Sequence, residues 1–308
     1  MRTIFTMLRV PNLLIIAFTF LLLRYFVFIP VYEAYSFIPG MQSLHYVLMI
    51  TSTILIAAAG YISNDYFDIV TDQVNKPEKQ YIGIHISAGT ALSTSVLFSF
   101  IAVSLGLWLS ILIQSWVPAV LLLTALTVAW SYALKLKKSF LWGNIAVACM
   151  SAGTIAMAWL IENQSSQVPD KPFRIITGII SAISLFAFLL HFLREIVKDI
   201  EDVEGDSLIN CRSLPIVKGI PFTKMILIVF TGITLLLLLV AQVYLAQYTK
   251  SFAVIWLLIC VQIPLLYFIK SLTKAKIKAD YHKLSTLLKW IMLGGMGSII
   301  AGQFQTNM

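Results

Sequence analysis

The chain has 308 residues, of which 59% are hydrophobic and 12% charged, and its mean hydropathy is +0.89. Globular domains carry about twice that share of charge, roughly 25%, so the composition excludes a soluble protein and points to one embedded in a bilayer. The formal charge of +8 then concerns anionic lipid headgroups or an anionic substrate, and is no argument for nucleic acid.

In chain order, apolar runs close to the roughly 20 residues that cross a bilayer as helix fall at 11–31, 44–62, 87–109, 112–133, 140–161, 174–193, 223–247, 252–270 and 286–303. Only the stretch around Gln114 to Val117 separates the third from the fourth, so the count is eight or nine. The expected fold class is an all-α polytopic transmembrane bundle of about nine helices, and residues 1–308 read as a single integral membrane domain. The start "MRTIFTMLRVPN" is basic like a signal peptide, but its apolar run is too long and lacks a small-residue cleavage site, so it reads as a retained helix. Cys149, Cys211 and Cys260 are scattered singly and suggest neither a disulfide framework nor a metal motif.

Basic residues set the orientation. With nine spans, the N-terminus and every second loop hold 18 of the 22 lysines and arginines. Lys171, Arg174 and Lys250 fall on the other face, and Arg24 lies inside the first span, where it is expected to snorkel to the interface. The positive-inside bias places the N-terminus in the cytoplasm and the C-terminus outside, in a plasma (inner) membrane. The basic linker from Lys270 to Lys283 is expected to attract anionic headgroups.

Ten of the fourteen acids gather in two places on the basic face, after the second and sixth spans. Asp65, Asp68 and Asp72 are spaced +3 and +4, and so are Asp199, Asp202 and Asp206, each 134 residues after its counterpart. Positions i, i+3 and i+7 fall on one side of a helix, so each set predicts a carboxylate stripe whose like charges repel. A divalent cation relieves that repulsion, and Mg2+ characteristically takes one or two carboxylates and leaves its other positions to water and phosphate oxygens. Two such stripes at a fixed offset predict a loose internal repeat and a site for a phosphorylated substrate.

With both stripes in view, the chain resembles the UbiA superfamily of intramembrane prenyltransferases. "NDYFDIVTD" (Asn64 to Asp72) matches the family's N-D-x-x-D-x-x-x-D motif, and "KDIEDVEGD" (Lys198 to Asp206) matches its later aspartate motif. Weaker echoes are "RVPN" at Arg9 to Asn12, "NKP" at Asn75 to Pro77, "SYALK" at Ser131 to Lys135, "GN" at Gly143 to Asn144 and "RSLP" at Arg212 to Pro215. The first motif departs from the family where Lys79 and Gln80 replace an arginine and a second proline, losing a bidentate fork for phosphate. "REIVKDIEDVEGD" (Arg194 to Asp206) is most similar to the branch that alkylates geranylgeranylglyceryl phosphate.

The resemblance implies a central cavity open to the cytoplasmic face and to lipid, a polyprenyl diphosphate donor and a hydrophobic acceptor. The six aspartates would hold Mg2+, which stabilises the departing diphosphate. Asn12, Asn64, Lys79, Lys135, Arg194, Lys198 and Arg212 would grip substrate by charge-assisted or amide hydrogen bonds. His191, just before the second stripe, is expected to be a satisfied helix histidine. Three alternatives stay open: prenylation of an aromatic quinone precursor, a divalent-cation or organic-anion transporter, and phosphotransfer to a lipid alcohol. The last lacks its D-G and A-R pair ahead of the aspartates, and transport sites generally lie nearer the bilayer midplane.

Overall fold

The computed structural model describes residues 7–75, 81–166, 168–208, 211–245 and 251–302. Among them, nine helices are long and apolar enough to cross a membrane. In chain order the helices are α1 (Val10–Ala34), α2 (Ser43–Phe67), the short α3 (Ile69–Asn75), α4 (Ala88–Leu112), α5 (Val117–Leu134), α6 (Trp142–Ser166) and α7 (Asp170–Glu201). Two short helices follow, α8 (Val203–Leu208) and α9 (Leu214–Lys218), then α10 (Ile220–Leu245), α11 (Phe252–Lys274) and α12 (Lys278–Ala301).

The long helices close into a ring. α2 packs on α1, α4 and α5, α5 hands on to α6, and α6 pairs along its length with α7. α7 then meets α10 and α12, and α12 returns to α1. Large apolar side chains outside the buried cores, such as Phe100, Trp116, Leu236 and Trp290, are exposed on the bundle's surface, as lipid-facing positions require.

Hydropathy located the spans and misjudged their ends. α7 runs 32 residues, about 48 Å at 1.5 Å per residue, well beyond a hydrocarbon core of about 30 Å. Its last two turns carry charged residues that the apolar run of 174–193 excluded, and ion pairs at Glu195 support them. α12 likewise begins eight residues before its apolar run, inside the basic linker, because the Asp280 carboxylate accepts the Lys276 and Ile277 N–H groups at 2.9 and 3.2 Å. Two π-turns, Arg24–Phe28 and Leu258–Gln262, sit just ahead of Pro30 and Pro264, where a ring without an N–H interrupts the normal helical ladder.

Arg24, expected to snorkel, is engaged by groups at the start of α2. The π-turn aims its guanidinium over the Tyr46 ring at 3.9 Å, and Nη2 donates to the Met41 carbonyl at 3.4 Å. The cation–π contact holds the charge inside the bundle. Nearby, buried Glu162 accepts from the hydroxyls of Tyr32, Tyr46 and Ser166.

Candidate active site

The two aspartate sets are brought to one end of the ring. α3 and α8, which carry Asp72 and Asp206, pack against each other. The expected straight stripe is bent in both halves at its middle residue. α2 stops at Phe67 with Asp68 as its cap at φ −98°, ψ 6°, and α7 stops at Glu201 with Asp202 as its cap at φ −101°, ψ 6°. These are bridge-region angles, sparsely populated and common at active sites. Asp72 N–H still bonds the Asp68 carbonyl at 2.8 Å, and Asp206 N–H the Asp202 carbonyl at 3.1 Å. The repeat read in the sequence is therefore a repeat of backbone geometry as well.

Each first aspartate is held from the start of a neighbouring helix. Arg9, the N-cap of α1, adopts left-handed angles (φ 51°, ψ 46°), a conformation that costs a non-glycine residue roughly 1–3 kcal/mol. Its Nη2 bonds Asp65 Oδ1 at 2.7 Å, and its guanidinium lies 4.8 Å from the centre of the Tyr61 ring. In the second half a neutral amide takes this place: Asn144 Nδ2 donates to Asp199 Oδ2 at 2.7 Å.

Asp68 is engaged on both oxygens. Lys137 Nζ reaches Oδ1 at 2.6 Å and Asn64 Nδ2 reaches Oδ2 at 2.7 Å. Lys137 is only 9% exposed. It sits in a 3-10 turn, Leu136–Lys138, that rests on the start of α6. A Cβ on Gly143 would stand 2.9 Å from Lys137 Cα and 3.0 Å from the Leu136 carbonyl oxygen, so only glycine admits that approach. The Arg212 N–H donates to the Lys138 carbonyl at 3.0 Å and ties the turn to the segment after the second set.

Tyr132 lies between the two sets, and Cys211 abuts the second. The Tyr132 phenol lies within electrostatic reach of Asp68, Asp199 and Glu195. Buried Cys211 donates its N–H to the Asp206 carbonyl at 3.1 Å. Burial, followed by the charge of Asp206, pushes its thiol up to about 11.

The other substrate-gripping candidates divide. Lys198 donates to both oxygens of buried Glu195 at 3.0 and 2.9 Å, and Arg194 Nη1 reaches the same carboxylate at 3.4 Å. Arg194 Nε is buried with no hydrogen-bond partner. Asn12 lies near the Tyr61 hydroxyl. Lys135 caps α5 on the exposed surface, and the Arg212 side chain is also exposed. Lys79 lies outside the described residues. His191 is satisfied by the Ala187 carbonyl and Ser151 hydroxyl, each 2.9 Å from Nδ1.

Sequence reasoning counts Glu195 among the acids after the sixth span but misses Arg9, Lys137 and Asn144 as partners of this cluster. "RVPN" and "GN" are visible as echoes, yet spacing along the chain does not say which basic residue of "KLKK" turns inward.

Among the described residues no three His, Cys, Asp or Glu side chains are arranged to ligate one ion. Mg2+ needs only one or two carboxylates when phosphate oxygens complete its shell. Asn64 Oδ1, beside Asp68, is a buried oxygen with no hydrogen-bond partner. Hard oxygen donors in this arrangement fit a cation that arrives with its phosphate.

The model of the UbiA prenyltransferase family matches residues 25–293. Digeranylgeranylglyceryl phosphate synthase of Saccharolobus solfataricus is 32% identical over 248 residues, covering 80% of this chain and 81% of that one. The synthase of Sulfurisphaera tokodaii is 33% identical over 242 residues, covering 76% and 80%. The match to the Methanobrevibacter smithii synthase is 29% identical and spans 56% of this chain and 58% of that protein. A solved structure of a digeranylgeranylglyceryl phosphate synthase superposes with a TM-score of 0.67 at 22% identity over 98% of both chains. A UbiA homologue from Archaeoglobus fulgidus, bound to GPP and Mg2+, superposes at 0.61 with 14% identity over 97% of this chain and 99% of that one. At such identities the structural likeness concerns the fold.

Proposed function

The chain belongs to the UbiA prenyltransferase family, and we propose that it transfers a geranylgeranyl group from geranylgeranyl diphosphate to geranylgeranylglyceryl phosphate at the cytoplasmic face of the plasma membrane. The observation that carries this reading is the packing of α3 against α8, which unites two aspartate sets of identical spacing at one end of a membrane bundle. The kinship with synthases of that name supports the choice of donor and acceptor.

Asp65, Asp68, Asp72, Asp199, Asp202 and Asp206 would hold Mg2+, with Asn64 Oδ1 beside them. When bound, Mg2+ supplies Lewis-acid neutralisation of the negative charge that builds on the leaving diphosphate. The protein's own cations add to that effect. Arg194 presents its buried Nε, Lys198 an ammonium next to Asp199 in the chain, and Lys137 an ammonium on Asp68. Charge-assisted hydrogen bonds from these groups strengthen as the diphosphate departs, which is the condition for lowering a barrier. Bonding the allylic carbon to an acceptor oxygen among membrane helices also keeps the cationic carbon away from water.

The test uses purified protein in detergent with Mg2+, radiolabelled geranylgeranyl diphosphate and a panel of geranylgeranylglyceryl phosphate, hydroxybenzoate and dihydroxynaphthoate. Label should enter the glyceryl phosphate product with stoichiometric release of diphosphate. Label in an aromatic product alone would assign another acceptor, and release of no diphosphate with any acceptor would refute the enzymatic reading.

A further inference from the structure

We propose that Lys137 is a displaceable internal counter-ion: it occupies Asp68 while the site is empty of phosphate and turns to a diphosphate oxygen as metal arrives, so that metal and diphosphate bind only together. The inference rests on the proposed function and adds an order of events to it.

Asp68 Oδ1 is taken by the ammonium of Lys137 at 2.6 Å and Oδ2 by the amide of Asn64 at 2.7 Å. The two contacts differ in kind. A neutral amide can stay on an oxygen that also ligates a cation, because each carboxylate oxygen has two lone pairs. An ammonium cannot do so cheaply, since Mg2+ at about 2.1 Å from the same oxygen would stand only about 4 Å from it. Metal at Asp68 Oδ1 and Lys137 on Asp68 Oδ1 are therefore competing states.

The local architecture permits exchange of the side chain alone. The Leu136–Lys138 turn is pressed on Gly143 and tied by the Arg212 N–H to the Lys138 carbonyl, so the backbone is pinned. A flexible four-carbon stem with three donors can still swing. It needs an anionic destination, because its side chain is only 9% exposed and an unpaired buried ammonium is strongly unfavourable. Metal without phosphate provides no such destination, whereas a diphosphate does. Binding of the two is thus coupled, and the coupling must be reciprocal. Asp65 repeats the pattern with Arg9 at 2.7 Å, while Asp199 is held by the neutral Asn144.

The experiment measures Mn2+ binding by electron paramagnetic resonance on the detergent-purified full chain, with and without inorganic pyrophosphate. In the wild type, pyrophosphate should tighten Mn2+ by about ten-fold or more. Lys137→Met should bind Mn2+ alone about ten-fold more tightly than wild type and lose most of the coupling, whereas Lys137→Arg, which keeps the charge, should hold Mn2+ alone as weakly as wild type. Equal Mn2+ affinity in wild type and Lys137→Met without pyrophosphate overturns the proposal. So does a wild type whose Mn2+ affinity ignores pyrophosphate, a result that needs no variant to fold. If wild type binds no Mn2+ under either condition, the metal assignment beneath the proposal falls with it. Mn2+ binding that is normal in wild type but unchanged by Lys137→Met spares that assignment and removes only the counter-ion.

Discussion

Gly143→Ala is a one-carbon change that should disable the site without unfolding the protein. The added Cβ would lie 2.9 Å from Lys137 Cα and 3.0 Å from the Leu136 carbonyl oxygen. Both are backbone atoms, and carbon contacts settle at about 3.5–4.0 Å, so the turn must retreat by roughly 0.5–1 Å. Lys137 Nζ rides on that turn, so its 2.6 Å contact with Asp68 would stretch to roughly 3.1–3.6 Å, and the ammonium proposed to turn to the diphosphate would be misplaced by a similar distance. For stability, overpacking costs about 1–3 kcal/mol, while alanine in a helix gains about 1 kcal/mol over glycine. The net loss is at most about 2 kcal/mol. For turnover, misplacement of a site group by about 1 Å typically costs on the order of 100-fold. The assay pairs diphosphate release from geranylgeranyl diphosphate with a thermal melt. The reasoning predicts a fall in kcat/KM of one to two decades beside a small change in Tm. Wild-type kcat and KM for the diphosphate, whatever the melt shows, would refute it.

Asp68→Asn and Asp202→Asn should each remove turnover by at least about 100-fold while the protein still elutes as a folded species; full activity in both would dismiss the metal role of the aspartates. Asn144→Leu deprives Asp199 of its amide donor, which should destabilise the protein by about 1–3 kcal/mol and lower diphosphate affinity, so an unchanged melt and KM would count against that contact. Cys211 carries a pH prediction of definite sign. Its folded value of about 11 exceeds the ordinary 9.0, so between those values the folded protein keeps a proton that the unfolded chain has lost, and the thiol's contribution makes stability fall as pH rises through that window. In a protein whose only cysteine is Cys211, iodoacetamide alkylation should be slow at pH 7 and reach half its maximal rate near pH 11; a midpoint near 9 would show the thiol to be neither buried nor beside Asp206.

The membrane spans were legible because hydropathy is a property of composition over some 20 residues, and the aspartate sets were legible because their spacing is local. What stayed hidden depends on contacts between elements. Lys135 was the basic residue that the "SYALK" echo suggested, yet the helix ends at Leu134 and the following 3-10 turn directs Lys137 inward instead. Nothing along the chain distinguishes the two lysines, since the decision lies with Gly143 on the next helix. Arg9 and Asn144 share no residue type, but they play corresponding parts at the first aspartate of each half. A repeat search keyed to identity passes over such a pair. The contact of Arg24 with the Tyr46 face is equally invisible in spacing, since it depends on how α1 and α2 pack.

The bend at the middle aspartate has an electrostatic consequence of its own. A straight helix through either set would have carried its three carboxylates along one uninterrupted dipole. Ending the long helices at Phe67 and Glu201 instead places Asp65 and Asp68, and likewise Asp199 and Asp202, at helix C-termini, where the macrodipole's negative end disfavours further negative charge by about 0.3–1 kcal/mol each. Asp72 and Asp206 fall in the first turns of α3 and α8, where the same effect favours them. The unfavourable charge is thus concentrated on the first two aspartates of each set, and at three of these four positions, Asp65, Asp68 and Asp199, the donors Arg9, Lys137 and Asn144 are found. Backbone and side chains together create a negative focus that protein donors offset in the unliganded state. A metal-bound diphosphate can take over that task, because it brings the cation to the aspartates and an anion to the lysine in a single encounter.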